Sequence, residues 1–533
     1  MPPTPSFSIV VPPLWCGPPE CRAVVGQQIC PRKCWFKLLI HKVIAAHAAE
    51  QPEAVAVIHR GSRVDYRTLD AAADACAAEL AALGVGPGTI VPVSLGRSAH
   101  LAMTLLAVLK CGAAYAAIDR RWPAERVGVL LQLLAPPVLI TDQPAPPGTP
   151  VCDPTGRGLD EWAAAGGTPP EAEITPDAPA CVFFTSGTTG VPKGVLSPHR
   201  ATTRLFAPSG PLAFGPGRVM CQASPPAWDA FSLELWGMLT TGGTAVVADD
   251  DHLLPHVLHR LIAEENVNTL WLTASLFNLF TDLEPECFTG LKHVITGGER
   301  LSPAHVERFL RRYPDITLAN GYGPVESCVF ATYHTITRAD LERTDGIPLG
   351  RPVPGTGIHL VDDEICISGD GLALGYLGQE ELTAERFVER VVDGRPVRVY
   401  RTGDLGRRDA DELLHFRGRA DRQVKIRGYR IEPAEIEVAA HRIDGLHQCV
   451  VVPVPAADGR PGSYDKLALF YTTATAVEPP AVRRLLASRL PHYSVPDVIR
   501  QVPAIPVTTN GKTDARTLLD TLTASVAARL TAP

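Results

Sequence analysis

The chain has no run of about 18 uncharged apolar residues, so no membrane-spanning helix is expected. It has no basic tract either. Against 57 Asp and Glu stand 50 Lys and Arg, a net charge of −7, and that balance argues against an electrostatic footprint for nucleic acid. A disulfide framework is missing: the 13 cysteines are odd in number, and Cys76, Cys111, Cys181 and Cys449 sit singly in apolar runs. That is the usage of reduced core thiols in a cytoplasmic protein. The apolar stretch at 7–11 is a poor match to a signal peptide, since it has no basic segment before it and prolines after it. No internal repeat is evident.

What is present is the composition of a globular protein, 45% apolar and 20% charged, in the ordinary range. At 533 residues the chain exceeds what one core serves, so two to four domains or subdomains are expected. Residues 1–35 are rich in Pro and carry Cys16, Cys21, Cys30 and Cys34. Their C-x4-C-x8-C-x3-C spacing departs from the short pairs of zinc knuckles. A disordered extension or a mis-set translation start is expected there. From 36 onward strands and helices alternate: strands at 54–58, 90–95, 115–118 and 138–141, helices at 66–83 and 99–110, and a helix opened by Pro123 that runs through 134. Such alternation predicts parallel, doubly wound sheets. Residues 142–178, rich in Pro and Gly, read as a loop or a join between lobes. Strands are predicted again at 244–247, 269–272 and 293–296. Short strands and turns dominate 358–418, as in a small barrel. A basic strand at 423–430, a helix at 435–441, strands at 449–454 and 467–471 and a helix at 482–490 make a small α+β unit.

Residues 181–194 read C-V-F-F-T-S-G-T-T-G-V-P-K-G. A short apolar strand breaks there into a loop of hydroxyls and glycines. Thr185, Ser186, Thr188 and Thr189 offer donors. Gly187, Gly190 and Gly194 let backbone N–H groups approach an oxyanion with no Cβ in the way, and Lys193 adds a positive charge. These residue types suit an anionic phosphate chain. A Walker loop is excluded, because there the Lys follows the second Gly directly and a hydroxyl follows the Lys. A flexible Gly/Ser/Thr loop is the competing reading; the apolar strand before it and P-K-G after it weigh against that. The stretch resembles the phosphate loop of the adenylate-forming enzymes, the superfamily of acyl-CoA synthetases, luciferases and the adenylation domains of non-ribosomal peptide synthetases.

Further motifs stand in that family's order over roughly 36–518. V-L-K-C-G-A-A-Y-A-A-I-D at 108–119 resembles a structural signature. W-D-A at 228–230 resembles the aromatic–Asp pair of the amino-acid-activating branch, which implies that Asp229 holds the substrate ammonium; a buried ammonium needs such a carboxylate. Trp228 replaces the usual Phe, as the aromatic that moves between catalytic states. N-G-Y-G-P-V-E at 320–326 implies that Tyr322 stacks on adenine, Asn320 bonds its edge and Glu326 ligates Mg²⁺, for which a hard oxygen is suitable. Y-R-T-G-D-L at 400–405 implies that Asp404 accepts from both ribose hydroxyls. G-R-A-D-R-Q-V-K-I-R-G-Y-R-I-E-P-A-E-I-E at 418–437 places the hinge between the domains at Asp421, and puts Lys425 and Gly428 on the segment that turns toward the site for thioester formation. N-G-K at 510–512 implies that Lys512 is the adenylation lysine. Taken singly, each motif has a plain alternative as a cap, a turn or an exposed basic strand. Departures are Val325 for Thr, Leu374 for Arg, Ser494 for Met, Thr273-Ala274 for Pro-Pro, and a shortened approach at 363–364.

The resemblance implies an α/β fold: a large N-terminal domain (36–420) of two doubly wound sheets plus a small distorted β-barrel, a small mobile α+β C-terminal domain (421–518) and a tail (519–533). It implies ATP and Mg²⁺ as cofactors. The catalytic set is Lys512, Lys425, Glu326 and Thr185. The nucleotide set is Thr185, Ser186, Gly187, Thr188, Thr189, Gly190, Lys193, Gly298, Asn320, Gly321, Tyr322, Glu326, Asp404, Arg419 and Lys512. The substrate pocket is Asp229, Ala230, Leu233, Trp271, Ile295, Gly297, Gly321, Val329 and Phe330, with Lys512 on the carboxylate. Such a pocket is small and dry, as for valine, with 2-aminobutyrate or isoleucine close behind, since one methylene is worth only about 1–3 kcal/mol. The expected reaction is formation of an aminoacyl-adenylate and then of a thioester on the phosphopantetheine arm of a carrier protein. No carrier Ser motif or condensation-type His pair is found, so a stand-alone enzyme with its carrier in trans is expected, with an MbtH-like helper as a further partner. Two rivals remain: an acyl- or aryl-CoA ligase, and a non-catalytic binding relative.

Overall fold

In this computed structural model the described residues are 38–187, 192–208, 210–212, 214–249, 252–456, 463–473, 477–506 and 513–530. The phosphate-loop residues Thr188, Thr189 and Gly190, the lysine Lys512 and the four N-terminal cysteines lie outside them.

Continuous apolar runs build two sheets whose strands are covered on both faces, as parallel sheets require. In a seven-stranded sheet, Ile90–Ser94 pairs in parallel with Ala114–Ala117 and Leu139–Thr141, and Ala114–Ala117 pairs in parallel with Pro179–Thr185. Lys193–Pro198 then turns back antiparallel beside Pro179–Thr185. In a nine-stranded sheet, Thr269–Thr273, His293–Gly297 and Thr317–Tyr322 lie parallel in sequence order. The helix Ala99–Lys110 is buried at every residue but His100 and touches a strand of each sheet, as a helix apolar on nearly all sides must be. Ser98 caps it by accepting from Leu101 N at 3.1 Å.

A five-stranded antiparallel sheet carries Thr356–Val361, Glu364–Gly369, Phe387–Val392, Arg395–Arg408 and Leu414–Arg419. The shortened approach at 363–364 is a two-residue hairpin turn: Asp362 and Asp363 take φ of 51° and 64°, left-handed values that Asp tolerates in such turns. The C-terminal unit is a three-stranded sheet of Leu446–Pro455, Tyr464–Thr473 and Val498–Gln501. Along its central strand, Leu467, Leu469 and Tyr471 join one apolar cluster and Ala468 and Phe470 join another, the period-2 pattern of a sheet covered on both faces.

Four expectations need correcting. Residues 142–178 hold a short strand, Val151–Cys152, and a helix, Leu159–Ala165. That helix is anchored by buried Trp162, whose Nε1 donates to Pro154 O at 3.0 Å. Residues 423–430 are not one strand but the start of a hairpin, Val424–Ile426 against Tyr429–Ile431. The predicted helix at 482–490 is Pro479–Ala487. A helix, Ala515–Leu530, runs through the expected 518/519 boundary, and its Leu518, Leu519 and Leu522 pack on the second face of the C-terminal sheet.

Candidate active site

The parallel strands of the larger sheet end together at Thr273, Gly297 and Tyr322, the edge at which open α/β sheets bind ligands. Gly297 pairs with Gly321, and neither tolerates a side chain. A Cβ on Gly297 would stand 2.0 Å from Gly321 O, and one on Gly321 would stand 2.4 Å from the Phe330 ring. A cavity of about 90 Å³ opens here, and Asp229, Ala230, Trp271, Gly321, Val329 and Phe330 line it. The Trp271 and Phe330 rings meet at 5.3 Å. Leu233 and Ile295 are wholly buried in the apolar cluster that also holds Trp271 and Phe330; they and Gly297 are not among the residues that line this cavity.

Asp229 accepts from Val329 N at 3.0 Å. At that contact Cys328 and Val329 take φ of 50° and 62°, strained for a β-branched residue. Burial pushes the Asp229 carboxyl above the usual range, and nearby Glu326 adds to the push, while the N–H groups of Val329 and Ala230 oppose it. A cation arriving here would relieve that cost.

Asp404, also on the cavity wall, is buried and has a partner on each carboxylate oxygen. Tyr322 Oη donates to its Oδ2 at 2.7 Å, and Arg419 pairs with its Oδ1. Arg419 also binds Asp421 through Nε at 2.7 Å and Nη2 at 2.8 Å, where the barrel strand hands over to the C-terminal unit. Gly298 lines the cavity at φ 78°. Asn320 Nδ2 donates to Pro348 O at 2.8 Å. Thr185 ends its strand opposite Lys193, and its buried Oγ1 has no hydrogen-bond partner among the described residues. Gly187 follows in the loop, between Ser186 and the undescribed residues.

The C-terminal hairpin fills the mouth of this cleft. Lys425 Nζ lies 5.9 Å from the centre of the Tyr322 ring, over the face expected to take adenine. Gly428 N donates to Glu299 Oε1 at 2.8 Å. Glu326 is fully buried; Tyr376 Oη donates to its Oε1 at 2.8 Å and Arg430 Nη1 to its Oε2 at 2.7 Å. Burial would raise the Glu326 carboxyl, but the Arg430 charge and the Tyr376 hydroxyl hold it below the usual range. Lys193 faces Glu432 at 3.6 Å, and burial lowers its pKa. Ser186 Oγ donates to Arg430 O at 3.0 Å. Trp228 meets Tyr429 edge-on at 4.4 Å, and Tyr429 stacks on Tyr493 at 4.0 Å. Arg126 and Glu435 form a buried ion pair at 3.0 Å between the two domains.

The structure thus gathers Asp229, Ala230, Trp271, Gly298, Gly321, Val329, Phe330, Asp404, Arg419 and Lys425 around one cavity. Sequence reasoning passed over Arg430, Glu432, Glu299, Tyr376 and the Arg126–Glu435 pair. The first two stand in the 418–437 motif itself, where two opposite charges around an isoleucine were the available signal.

The AMP-binding enzyme family model matches residues 44–377. The chain is similar to tyrocidine synthase 3 of Brevibacillus parabrevis, 34% identical over 501 residues, 90% of this chain and 8% of that protein. It is similar to surfactin synthase subunit 3 of Bacillus subtilis, 33% identical over 509 residues, 92% of this chain and 38% of that protein. The chain therefore spans a minor part of the curated synthetases it matches. Among solved structures it resembles an NRPS protein containing adenylation and PCP domains, in holo form with a vinylsulfonamide inhibitor. The TM-score is 0.83 and the identity 33%, covering 92% of this chain and 85% of that one.

Proposed function

This chain belongs to the AMP-binding enzyme family, as an adenylating ligase of the non-ribosomal peptide synthetase kind that uses ATP; on that premise we propose that it activates a small aliphatic α-amino acid, valine first, and passes it to the phosphopantetheine thiol of a carrier protein in trans. The observation that carries the substrate class is Asp229, a buried carboxylate on a cavity that it lines together with Ala230, Trp271, Val329 and Phe330, while Asp404, Arg419 and Lys425 line it too. An ammonium on the substrate neutralises it, and the aromatic pair leaves room for a short aliphatic side chain. A CoA ligase for simple acids would leave that buried carboxylate with no cation nearer than Lys425 of the hairpin, which is costly.

In the first half-reaction a carboxylate oxygen of the amino acid attacks the α-phosphorus of ATP. The bond from that phosphorus to the bridging oxygen breaks, and pyrophosphate leaves with the electron pair. Two anions approach one another, so charge neutralisation is the main requirement. Lys193 with the hydroxyls of Thr185 and Ser186 would hold the departing phosphates, joined by Lys512. Asp404 would take the ribose hydroxyls on the lone pairs that Tyr322 and Arg419 leave free. Tyr322 would take the adenine once Lys425 is withdrawn from its face. Glu326 suits Mg²⁺: it is a hard oxygen donor, buried, and already matched to a cation in this structure. When bound, the ion would offset phosphate charge. In the second half-reaction the carrier thiol attacks the acyl carbon, a C–S bond forms, and AMP leaves. Rotation about Asp421 would exchange Lys512 for the Lys425–Gly428 segment between the two. The arrangement here, with the hairpin in the cleft, fits the second stage. Action in the cytoplasm, with or without a helper protein, completes the reading.

Amino-acid-dependent exchange of labelled pyrophosphate into ATP tests it, across the proteinogenic amino acids and 2-aminobutyrate. A response centred on valine is expected. Silence with every amino acid, with and without a helper, and exchange with simple carboxylic acids would overturn the reading in favour of a CoA ligase.

A further inference from the structure

The hairpin brings a cation and an anion to the residues read above as the metal and phosphate groups. Arg430 sits 2.7 Å from Glu326, and Glu432 sits 3.6 Å from Lys193. Both arms come from one extended segment. Arg430 lies in the strand Tyr429–Ile431, and Glu432 continues it at φ −95° and ψ 110°, so residues 430 and 432 project to the same side. The carbonyl of Arg430 takes a third group, the Ser186 hydroxyl, at 3.0 Å. All three partners are drawn from the phosphate loop and the carboxylate read as the Mg²⁺ ligand. Two other cationic residues of the segment are engaged differently, Arg427 with Asp497 at 2.7 Å and Lys425 over Tyr322. The charge pattern of 430–432 is therefore matched to the phosphate end of the cleft.

We propose that Arg430 and Glu432 are positioning residues that stand in for the magnesium pyrophosphate of the first half-reaction, Arg430 for the metal on Glu326 and Glu432 for a phosphate on Lys193. Docking of the hairpin and binding of magnesium pyrophosphate exclude one another. The second stage is then entered only when pyrophosphate has gone, and the buried charges of Glu326 and Lys193 are neutralised in both stages. The inference rests on the assignment of Glu326 and Lys193 to the metal and phosphate, and its test separates the two.

The probe is magnesium pyrophosphate on the full chain, with calorimetry for affinity and hydrogen exchange of residues 424–431 for docking. In the wild type, pyrophosphate is expected to raise exchange in the hairpin, a readout that needs no variant. A hairpin docked about nine-tenths of the time depresses apparent affinity about tenfold. Arg430→Gln and Glu432→Gln should recover about that factor and show fast hairpin exchange without ligand, while Arg430→Lys should behave more like the wild type. Equal affinity in wild type and both Gln variants, with hairpin exchange unmoved by pyrophosphate, overturns the exclusion and leaves the site assignment standing. Undiminished pyrophosphate binding in Lys193→Met and Glu326→Gln overturns the assignment beneath it.

Discussion

Gly428→Ala should separate the two half-reactions. Gly428 has φ 83°, and a Cβ there would stand 2.5 Å from Thr273 Cγ2 and 3.1 Å from Thr273 Cβ. The left-handed backbone costs an L-residue about 1–2 kcal/mol, and overpacking of this kind about 1–3 kcal/mol more. Thr273 cannot simply turn its methyl away, because its Oγ1 accepts from Leu276 N at 3.3 Å and caps the helix Ala274–Leu283, an interaction worth about 1 kcal/mol. The backbone cost belongs to the hairpin's own turn and is carried docked or undocked. The contact with Thr273 penalises the docked arrangement alone, by roughly 1–3 kcal/mol, or about fivefold to 150-fold in population. Amino-acid-dependent pyrophosphate exchange should stay near wild type, while single-turnover transfer to a carrier thiol falls by at least about fivefold. Thr273→Ser removes Cγ2 and keeps Oγ1, so adding it to Gly428→Ala should restore most of the lost transfer. Transfer at the wild-type rate in Gly428→Ala, or no rescue by Thr273→Ser, would refute this account of the contact.

Three further outcomes follow from geometry and charge. Asp229→Ala leaves a bound ammonium without its buried carboxylate, so kcat/KM for the amino acid in the exchange assay should fall by about a hundredfold or more. Burial raises the Glu234 carboxyl from 4.5 to about 7, so between those values the folded state holds a proton that the unfolded state has released. Stability therefore falls as pH rises through that window, by about 3 kcal/mol. Glu234→Gln should accordingly gain on the wild type from pH 5 to pH 8 in urea denaturation, and a pH-independent difference would count against it. Arg126→Ala strips the cation from buried Glu435, a change worth about 3–5 kcal/mol that the C-terminal domain can escape by undocking. Proteolysis near Asp421 should speed up while the melting transition of the large domain stays put.

Much of the fold was legible because its strands are unbroken apolar runs and its helices carry their own stop and start residues. Ala99–Lys110 lies between the Ser98 cap and the residues Cys111-Gly112, and its bounds were read correctly. Leu159–Ala165 was hidden because it is seven residues long and buries only Leu159 and Trp162 in a Pro- and Gly-rich setting. The 424–431 hairpin was read as one strand because its turn begins at Arg427, an arginine at φ 55°, a residue that carries no turn signal. The C-terminal helix was missed because its apolar side matters only once the second face of a three-stranded sheet needs a cover. In the site, Asp229, Tyr322, Glu326 and Asp404 were legible as motifs. Their partners were not, since Arg430 reaches Glu326 across 104 positions and Arg126 reaches Glu435 across 309, and no local pattern encodes such pairs. Leu233 and Ile295, expected in the pocket, lie in the apolar cluster that also holds Trp271 and Phe330.

The burial of Glu326 constrains how such a site can cycle. A carboxylate with no exposed surface is costly without a cation, and neutralising it by protonation would spoil it as a ligand. A site that releases its metal with its product must therefore either open to water or supply another positive charge. On the proposed reading this chain supplies one from the C-terminal hairpin, at 2.7 Å through Arg430, and the matching anion for Lys193 two residues later through Glu432. Partner exchange of this sort would keep both groups paired at each stage and would convert the release of product into a driving force for the next conformation, with no need for a separate signal.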